Sequence, residues 1–285
     1  MPDRVMELVA KAAPYLATHG STSPRLDAEL LLAEALGVQR MDLYMQFDRP
    51  LKAEETDRFR ELCRRRAGGE PIAYIRGRRE FMSVELLVTP AVMIPRPETE
   101  LLVEEALRLA GVTKVALPPP PCRVLDVGTG SGAIAVAMAV HHSTCRVLAT
   151  DLSAEALSVA LRNIERLELQ DRVELRQADL ADDVEGPFDL VLANLPYIDR
   201  AWPDAVTAEV AATEPESALY GGRDGLELVG RLLVELPRLL GEGGSALLEV
   251  DPRNAHQALQ LASGFGSARL MKDNAGLDRV LAVTL

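Results

Sequence analysis

From Arg123 onward short apolar runs alternate with amphipathic stretches, and this alternation limits the fold more than any other feature of the chain. Residues 124–127, 146–150, 173–176, 188–193 and 245–250 form runs of strand length. Helical patterns begin near Ser131, Ser153 and Asn254, and another covers residues 226–240. Two final short strands are expected at residues 268–271 and 279–283. Strands separated by helices imply crossover connections, and hence a mostly parallel, doubly wound α/β sheet. Such sheets bind ligands outside the carboxyl ends of their strands. The residues that follow each apolar run therefore hold the chemistry.

After the first run comes Asp126-Val127-Gly128-Thr129-Gly130-Ser131-Gly132. Glycines let a backbone approach a ligand closely, and the helix start behind them supplies amide donors. The spacing Gly-x-Gly-x-Gly departs from the dinucleotide fingerprint. The leading Asp126 suits a ligand carrying an ammonium group better than a pyrophosphate. Asp151 ends the second run, where a carboxylate can accept both ribose hydroxyls. Asp179 follows the third and can accept from an exocyclic adenine amine, with Leu180 lying on the ring. One such acid is an ordinary loop residue. Three at consecutive strand ends together describe S-adenosylmethionine.

The fourth run ends in Asn194-Leu195-Pro196-Tyr197. Alone, it could be a plain strand-to-loop turn. Opposite a methyl donor it becomes an acceptor clamp. The Asn194 side-chain carbonyl and the Leu195 backbone carbonyl can take the hydrogens of a planar amino group, and Tyr197 offers it a flat face.

Residues 1–75 read as a helical domain. Val5, Leu8, Val9, Ala12 and Leu16 repeat at helical spacing, Ser23-Pro24 opens a second helix with Leu26, Leu30, Ala33 and Leu36 as its apolar face, and Gly37 stops it. A third helix runs from Ala53 to Gly68-Gly69. Residues 76–95 read as a β-hairpin linker, and residues 96–285 as the catalytic domain, opening on a helix that buries Leu101, Leu102, Ala106 and Leu109. Pro118 to Pro121 can join neither a helix nor a central strand and form a spacer. Eight arginines stand between Arg58 and Arg79 against two acids, either as a solvated helix face or as a docking patch for an acidic partner.

The net charge of −12 argues against a large nucleic-acid footprint. No signal-peptide pattern or membrane-length apolar run is present. Cys63, Cys122 and Cys145 have no metal or disulfide spacing, and no metal is expected. A monomer in a reducing cytoplasm is expected, without stable nucleic-acid binding.

These motifs resemble the class I S-adenosylmethionine-dependent methyltransferases that alkylate planar nitrogens. Within them Glu70-Pro71-Ile72-Ala73-Tyr74-Ile75, Ile94-Pro95-Arg96-Pro97-Glu98-Thr99-Glu100, and Glu214-Pro215 with Gly221-Gly222 and Asp224-Gly225 resemble the HemK/PrmC-type release factor glutamine methyltransferases. The resemblance covers nearly the whole chain. It implies a Rossmann-like sheet with an antiparallel last strand, and methyl transfer to the glutamine of the Gly-Gly-Gln motif in peptide chain release factors, leaving S-adenosylhomocysteine. By position, Asp126, Gly128, Thr129, Gly130, Ser131, Gly132, Asp151, Asp179, Leu180 and Asn194 would bind the donor. Asn194, Leu195, Pro196 and Tyr197 would hold the glutamine, with Asn194, Pro196 and Tyr197 as the catalytic set. The family usually has Pro where this chain has Leu195. The rRNA adenine dimethyltransferases commonly carry Asn-Leu-Pro-Tyr, which keeps adenine methylation open beside ribosomal-protein glutamine methylation and a donor-binding adaptor. Pro196 holds residue 195 extended, so the clamp geometry is expected to survive with a slightly looser loop.

Overall fold

The computed structural model describes residues 3–112, 119–202 and 206–285, so Pro118 of the expected spacer lies outside the described residues. Two compact units form: Met1–Arg78 with Ala208–Thr213, and Arg79–Thr207 with Glu214–Leu285.

The first unit contains α1 (Val5–Thr18), α2 (Pro24–Leu36), α3 (Arg40–Met45), α4 (Ala53–Ala67), α5 (Ile72–Arg76) and the short helix Ala208–Thr213. Its core gathers Val5, Leu16, Leu31, Leu32, Leu43 and Phe59 around α2, which touches α1, α3, α4 and α5. Each such leucine contributes roughly 1.5–3 kcal/mol by leaving water. The buried apolar residues of α2 are Ala28, Leu31, Leu32, Ala33 and Ala35; of the row expected from the sequence Ala33 is buried and Leu36 packs against the core, but Leu26 is 40% exposed. Two acids disguise that face. Asp27 is buried because the Arg66 Nε donates to it at 2.9 Å, and Glu29 because Arg25, Arg40 and the Tyr44 hydroxyl all donate to it. Unpaired, each would cost several kcal/mol to bury. Pro24 occupies the first turn and Gly37, at φ 66°, ends the helix, but the Ser23 side chain makes no capping bond.

The arginine run is largely paired within this unit: Arg60 with Asp57, Arg64 with Glu61, Arg65 with Glu70, Arg66 with Asp27 and Glu209, and Arg78 with Glu34. The exposed pairs add little stability, but they remove most of the sign reversal that the sequence displays.

The second unit opens on a hairpin, β1 (Arg78–Phe81) and β2 (Val84–Leu87), whose two-residue turn places Met82 at φ 49° and Ser83 at φ 59°. There follow α6 (Glu100–Leu109), β3 (Cys122–Val127), α7 (Ala133–His141), β4 (Cys145–Asp151), α8 (Ala154–Arg166), β5 (Val173–Gln177) and β6 (Phe188–Ala193). After α9, the helix Ala208–Thr213 of the first unit, come α10 (Glu227–Leu239), β7 (Leu240–Glu249), α11 (Ala255–Ala262), β8 (Ser267–Lys272) and β9 (Asp278–Thr284). The strand order is β5-β4-β3-β6-β7-β9-β8, and β9 alone runs against its neighbours. The mostly parallel sheet with a reversed last strand is therefore present. Helices α6, α7 and α8 cover one face, and α10 and α11 the other. On α6 the buried apolar residues are Leu102, Val103, Ala106 and Leu107, while Leu101 is partly buried and Leu109 exposed.

Strand β7 starts five residues earlier than expected. Leu240 pairs with Phe188, and then Gly241 to Gly244 bulge out before Ser245 pairs with Leu190. The glycines hid that pairing in the sequence. The strand order reverses between β3 and β6, where Val127 pairs with Ala193. This switch point is where an open α/β sheet leaves a crevice.

Candidate active site

The loops that leave β3 and β6 begin at Gly128 and Asn194, directly after two residues paired in register. With the loops after β4 and β5 and the segment from Ala91 to Thr99, they line a cavity of about 410 Å³. Gly128, Thr129, Gly130, Ser131, Asp151, Asp179, Leu180, Asn194, Leu195 and Pro196 all face it, as do Pro215, Ser217 and Ala218. Gly132, Asp126 and Tyr197 are not among its lining residues.

Gly128, Gly130 and Gly132 all have positive φ. At Gly130 a Cβ would meet nothing within 4 Å, so the backbone itself forms that part of the wall. The Gly130 amide donates to Asp151 Oδ2 at 2.8 Å, and the Ser153 amide to Asp151 Oδ1 at 2.9 Å. The Leu152 backbone adds a further interaction with this carboxylate, whose two oxygens together offer about four acceptor sites. Burial raises the pKa of this carboxyl above its ordinary value, against the pull of those amides.

Asp126 departs from the sequence expectation. It is 0% exposed and stands outside the cavity wall, with Oδ2 accepting from the Thr129 hydroxyl at 2.6 Å and the Ala135 amide at 3.1 Å. It props the glycine loop. Burial raises its pKa to about 7, and Oδ1 has no hydrogen-bond partner among the described residues. Asp179 also differs from a free acceptor, since Arg231 donates to its Oδ2 at 2.8 Å. Leu180 sits at φ 53°, a conformation costing a non-glycine residue roughly 1–2 kcal/mol, and the Thr150 hydroxyl donates to its carbonyl at 2.7 Å. The strain sits in the cavity wall, as strain at ligand sites often does.

Leu195, the residue that departs from the family's usual proline, is packed into the protein. It is 3% exposed and belongs to the core shared with β6, β7 and α10. Its Cδ2 lies 3.1 Å from where a Cβ on Gly128 would stand. The side chain thus ties the acceptor loop to the glycine loop. The Leu195 carbonyl accepts no hydrogen bond among the described residues.

Asn194 Nδ2 donates to Thr99 Oγ1 at 2.9 Å, the Thr99 hydroxyl donates to Glu249 Oε2 at 2.7 Å, and the Tyr197 hydroxyl donates to Glu249 Oε1 at 3.0 Å. The Tyr197 hydroxyl thus anchors the acceptor loop to Glu249. Burial and the adjacent Glu249 carboxylate push its phenol well above its usual pKa, so it stays a donor. Burial likewise raises the pKa of Glu249. Neither Thr99 nor Glu249 stood out as a site residue in the sequence. One signal was available: an acid closing an otherwise apolar strand, at the sheet edge where the other acids lie.

The segment carrying Thr99 is held at both ends. Arg96 donates to Glu214 Oε1 at 2.6 Å, and Glu100 Oε1 accepts from the Met82 amide at 2.9 Å. Gly221 and Gly225 meet the acceptor loop directly. A Cβ on Gly221 would fall 2.2 Å from the Pro196 carbonyl oxygen, and one on Gly225 2.0 Å from that of Tyr197. Among the described residues no cluster of side chains could hold a metal ion, and no helix is long and apolar enough to cross a membrane.

Two family models match the chain, the PrmC N-terminal domain over residues 7–77 and the methyltransferase small domain over residues 114–222. A release factor glutamine methyltransferase of Rhodopirellula baltica is 43% identical over 288 residues, covering 99% of this chain and 96% of that protein. One from Chlorobaculum tepidum is 39% identical over 284 residues, covering 98% and 96%. Among solved structures, a methyltransferase from Pyrococcus furiosus aligns over 70% of this chain and 87% of its own, at 22% identity and a TM-score of 0.52. The T. thermophilus 16S rRNA N2 G1207 methyltransferase, in complex with AdoMet and guanosine, aligns over 73% of this chain and 49% of its own, at 19% identity and a TM-score of 0.52. These two share the fold.

Proposed function

The chain belongs to the release factor glutamine methyltransferase family, and from that premise we propose that its cavity is where a methyl group passes from S-adenosylmethionine to the side-chain amide nitrogen of the Gly-Gly-Gln glutamine of a peptide chain release factor. One observation carries the assignment of roles: the glycine loop and the Asn194 loop leave register-paired neighbouring strands and open on the same cavity.

S-adenosylmethionine, when bound, supplies a methyl group on an already activated sulfonium, so alignment is the protein's main task. The residues present fit it. Asp151 lines the cavity with acceptor capacity beyond its backbone partners, which suits ribose hydroxyls. Asp126 holds the glycine loop through the Thr129 hydroxyl and the Ala135 amide. Gly128 to Gly132 form a wall with no side chain in the way at Gly130, and Asp179 and Leu180 supply the edge and surface for a purine. Asp151→Ala is expected to weaken S-adenosylmethionine binding by about 10- to 100-fold, the worth of one or two hydrogen bonds to a charged group. Isothermal titration checks this, and an unchanged affinity would remove Asp151 from the donor site.

Asn194 Oδ1 and the Leu195 carbonyl then accept the two hydrogens of the glutamine amide and aim its nitrogen. Both contacts strengthen as that nitrogen becomes positive in the transition state, which makes them catalytic and not merely binding contacts. Pro196 keeps the Leu195 carbonyl in an extended backbone.

Incubation with methyl-labelled donor and three acceptors, a release factor, a ribosomal protein and rRNA, tests the reading. Label is expected on the release factor's Gly-Gly-Gln glutamine, located by mass spectrometry. Label on rRNA would move the acceptor to adenine, and label on none would leave a donor-binding adaptor.

A further inference from the structure

The clamp works only if Asn194 turns one particular end of its amide toward the acceptor, and the shape of an amide does not decide which. We propose that Thr99 and Glu249 are positioning residues that fix this polarity by a one-way chain of hydrogen bonds. The inference rests on the acceptor-clamp role of Asn194 given above.

The scheme has Glu249 ionised at its start: burial raises its pKa, while the Thr99 and Tyr197 hydroxyls and the charge of Arg279 pull the other way. An ionised carboxylate only accepts, and Glu249, 1% exposed at the end of β7, takes one proton from the Tyr197 hydroxyl and one from the Thr99 hydroxyl. Thr99 has a single proton, and it is committed to Glu249. Toward Asn194 its oxygen can therefore only accept, at 2.9 Å. The end of the amide that meets Thr99 must then be Nδ2, and Oδ1 is left for the acceptor. Tyr197 has two roles in this scheme: its hydroxyl holds one oxygen of Glu249 so that the other stays aimed at Thr99. Thr99 and Glu249 are both buried, so water does not compete for these bonds.

Reversed, the Asn194 amide would set NH2 against the NH2 of the glutamine, a donor facing a donor. The misplaced acceptor nitrogen costs rate and leaves donor affinity alone, because Gly128 to Gly132 and Asp151 are untouched. The scheme also gives the segment from Ile94 to Glu100 a task. It is clamped at Arg96 and Glu100, and between those clamps it delivers one hydroxyl to the acceptor side of the cavity.

Thr99→Val removes the hydroxyl at nearly constant volume. In the full chain, the kcat for labelled transfer to a release factor is expected to fall about 10- to 100-fold, with the release-factor KM and donor affinity within about threefold of wild type. Thr99→Ser keeps the hydroxyl and should stay within about threefold in kcat. In an Asn194→Ala background Thr99→Val should cost nothing more, because its effect passes through Asn194. An unchanged kcat in Thr99→Val overturns the inference. So does Thr99→Ser if it is as slow as Thr99→Val, or an undiminished loss in the Asn194→Ala background. Thr99→Ala carries the same expectation if Thr99→Val does not fold. A wild-type chain that labels no release factor sinks the functional reading and the inference together; a labelling wild type with an equally active Thr99→Val sinks the inference alone.

Discussion

Asn194→Ala is expected to lower turnover by at least about 100-fold while S-adenosylmethionine binding stays within a few fold. The split follows from where Asn194 stands. It directly follows β6, with its amide nitrogen held by Thr99 and its oxygen left for the acceptor. The donor cradle is built from other loops, after β3, β4 and β5. Alanine leaves the strand pairing of Val127 with Ala193 intact, so the loss falls on the aim of the nitrogen. Single-turnover rates with a release factor, beside calorimetric titration of the donor, measure both halves. Unchanged turnover would sink the clamp. A large loss of donor affinity would place Asn194 in the donor cradle instead.

Gly225→Ala should be nearly as damaging, although Gly225 is not among the cavity-lining residues. Its φ of 71° already costs an alanine roughly 1–2 kcal/mol. The added Cβ would also stand 2.0 Å from the Tyr197 carbonyl oxygen, a distance that no rotamer change relieves. The acceptor loop must shift, and a displacement of about 1 Å at a positioning group can cost about 100-fold in rate. Gly221→Ala, which meets the Pro196 carbonyl oxygen at 2.2 Å, should behave alike. Gly230 is the control: within α10 its added Cβ would meet nothing within 4 Å, and alanine there should keep full activity and raise helix stability slightly. Methylation assays and thermal melts of the three variants check this. A fully active Gly225→Ala would show that the loop tolerates displacement.

The sheet was legible in the sequence because buried parallel strands are apolar on both faces, and Phe188–Ala193 shows it plainly. The loops at the strand ends were legible because glycine and acid stand out against that background. What stayed hidden was hidden by pairing. Asp27 and Glu29 masked the buried face of α2, since nothing local shows that Arg66 and Arg40 will reach them. Glu249 and Thr99 lie 150 residues apart in the chain and meet in one hydrogen bond. The hydrogen bond from the Tyr197 hydroxyl to Glu249 spans 52 residues of chain and has no local signal. At Leu195 the sequence shows only a leucine where the family has proline, and the packing of its side chain beside Gly128 is a tertiary contact that no local pattern displays.

The close approach of Gly221 and Gly225 bears on any attempt to redesign the acceptor. Backbone at the Pro196 and Tyr197 carbonyls is immobilised by neighbours that admit no side chain, and Leu195 is committed to the core. Mutating the tetrapeptide itself would break the clamp before it changed what the clamp grips. Variation for new acceptors belongs elsewhere in the cavity lining, at Pro95, Pro215, Ser217 and Ala218, where library diversity can reshape the cavity without replacing the residues that aim at the methyl group.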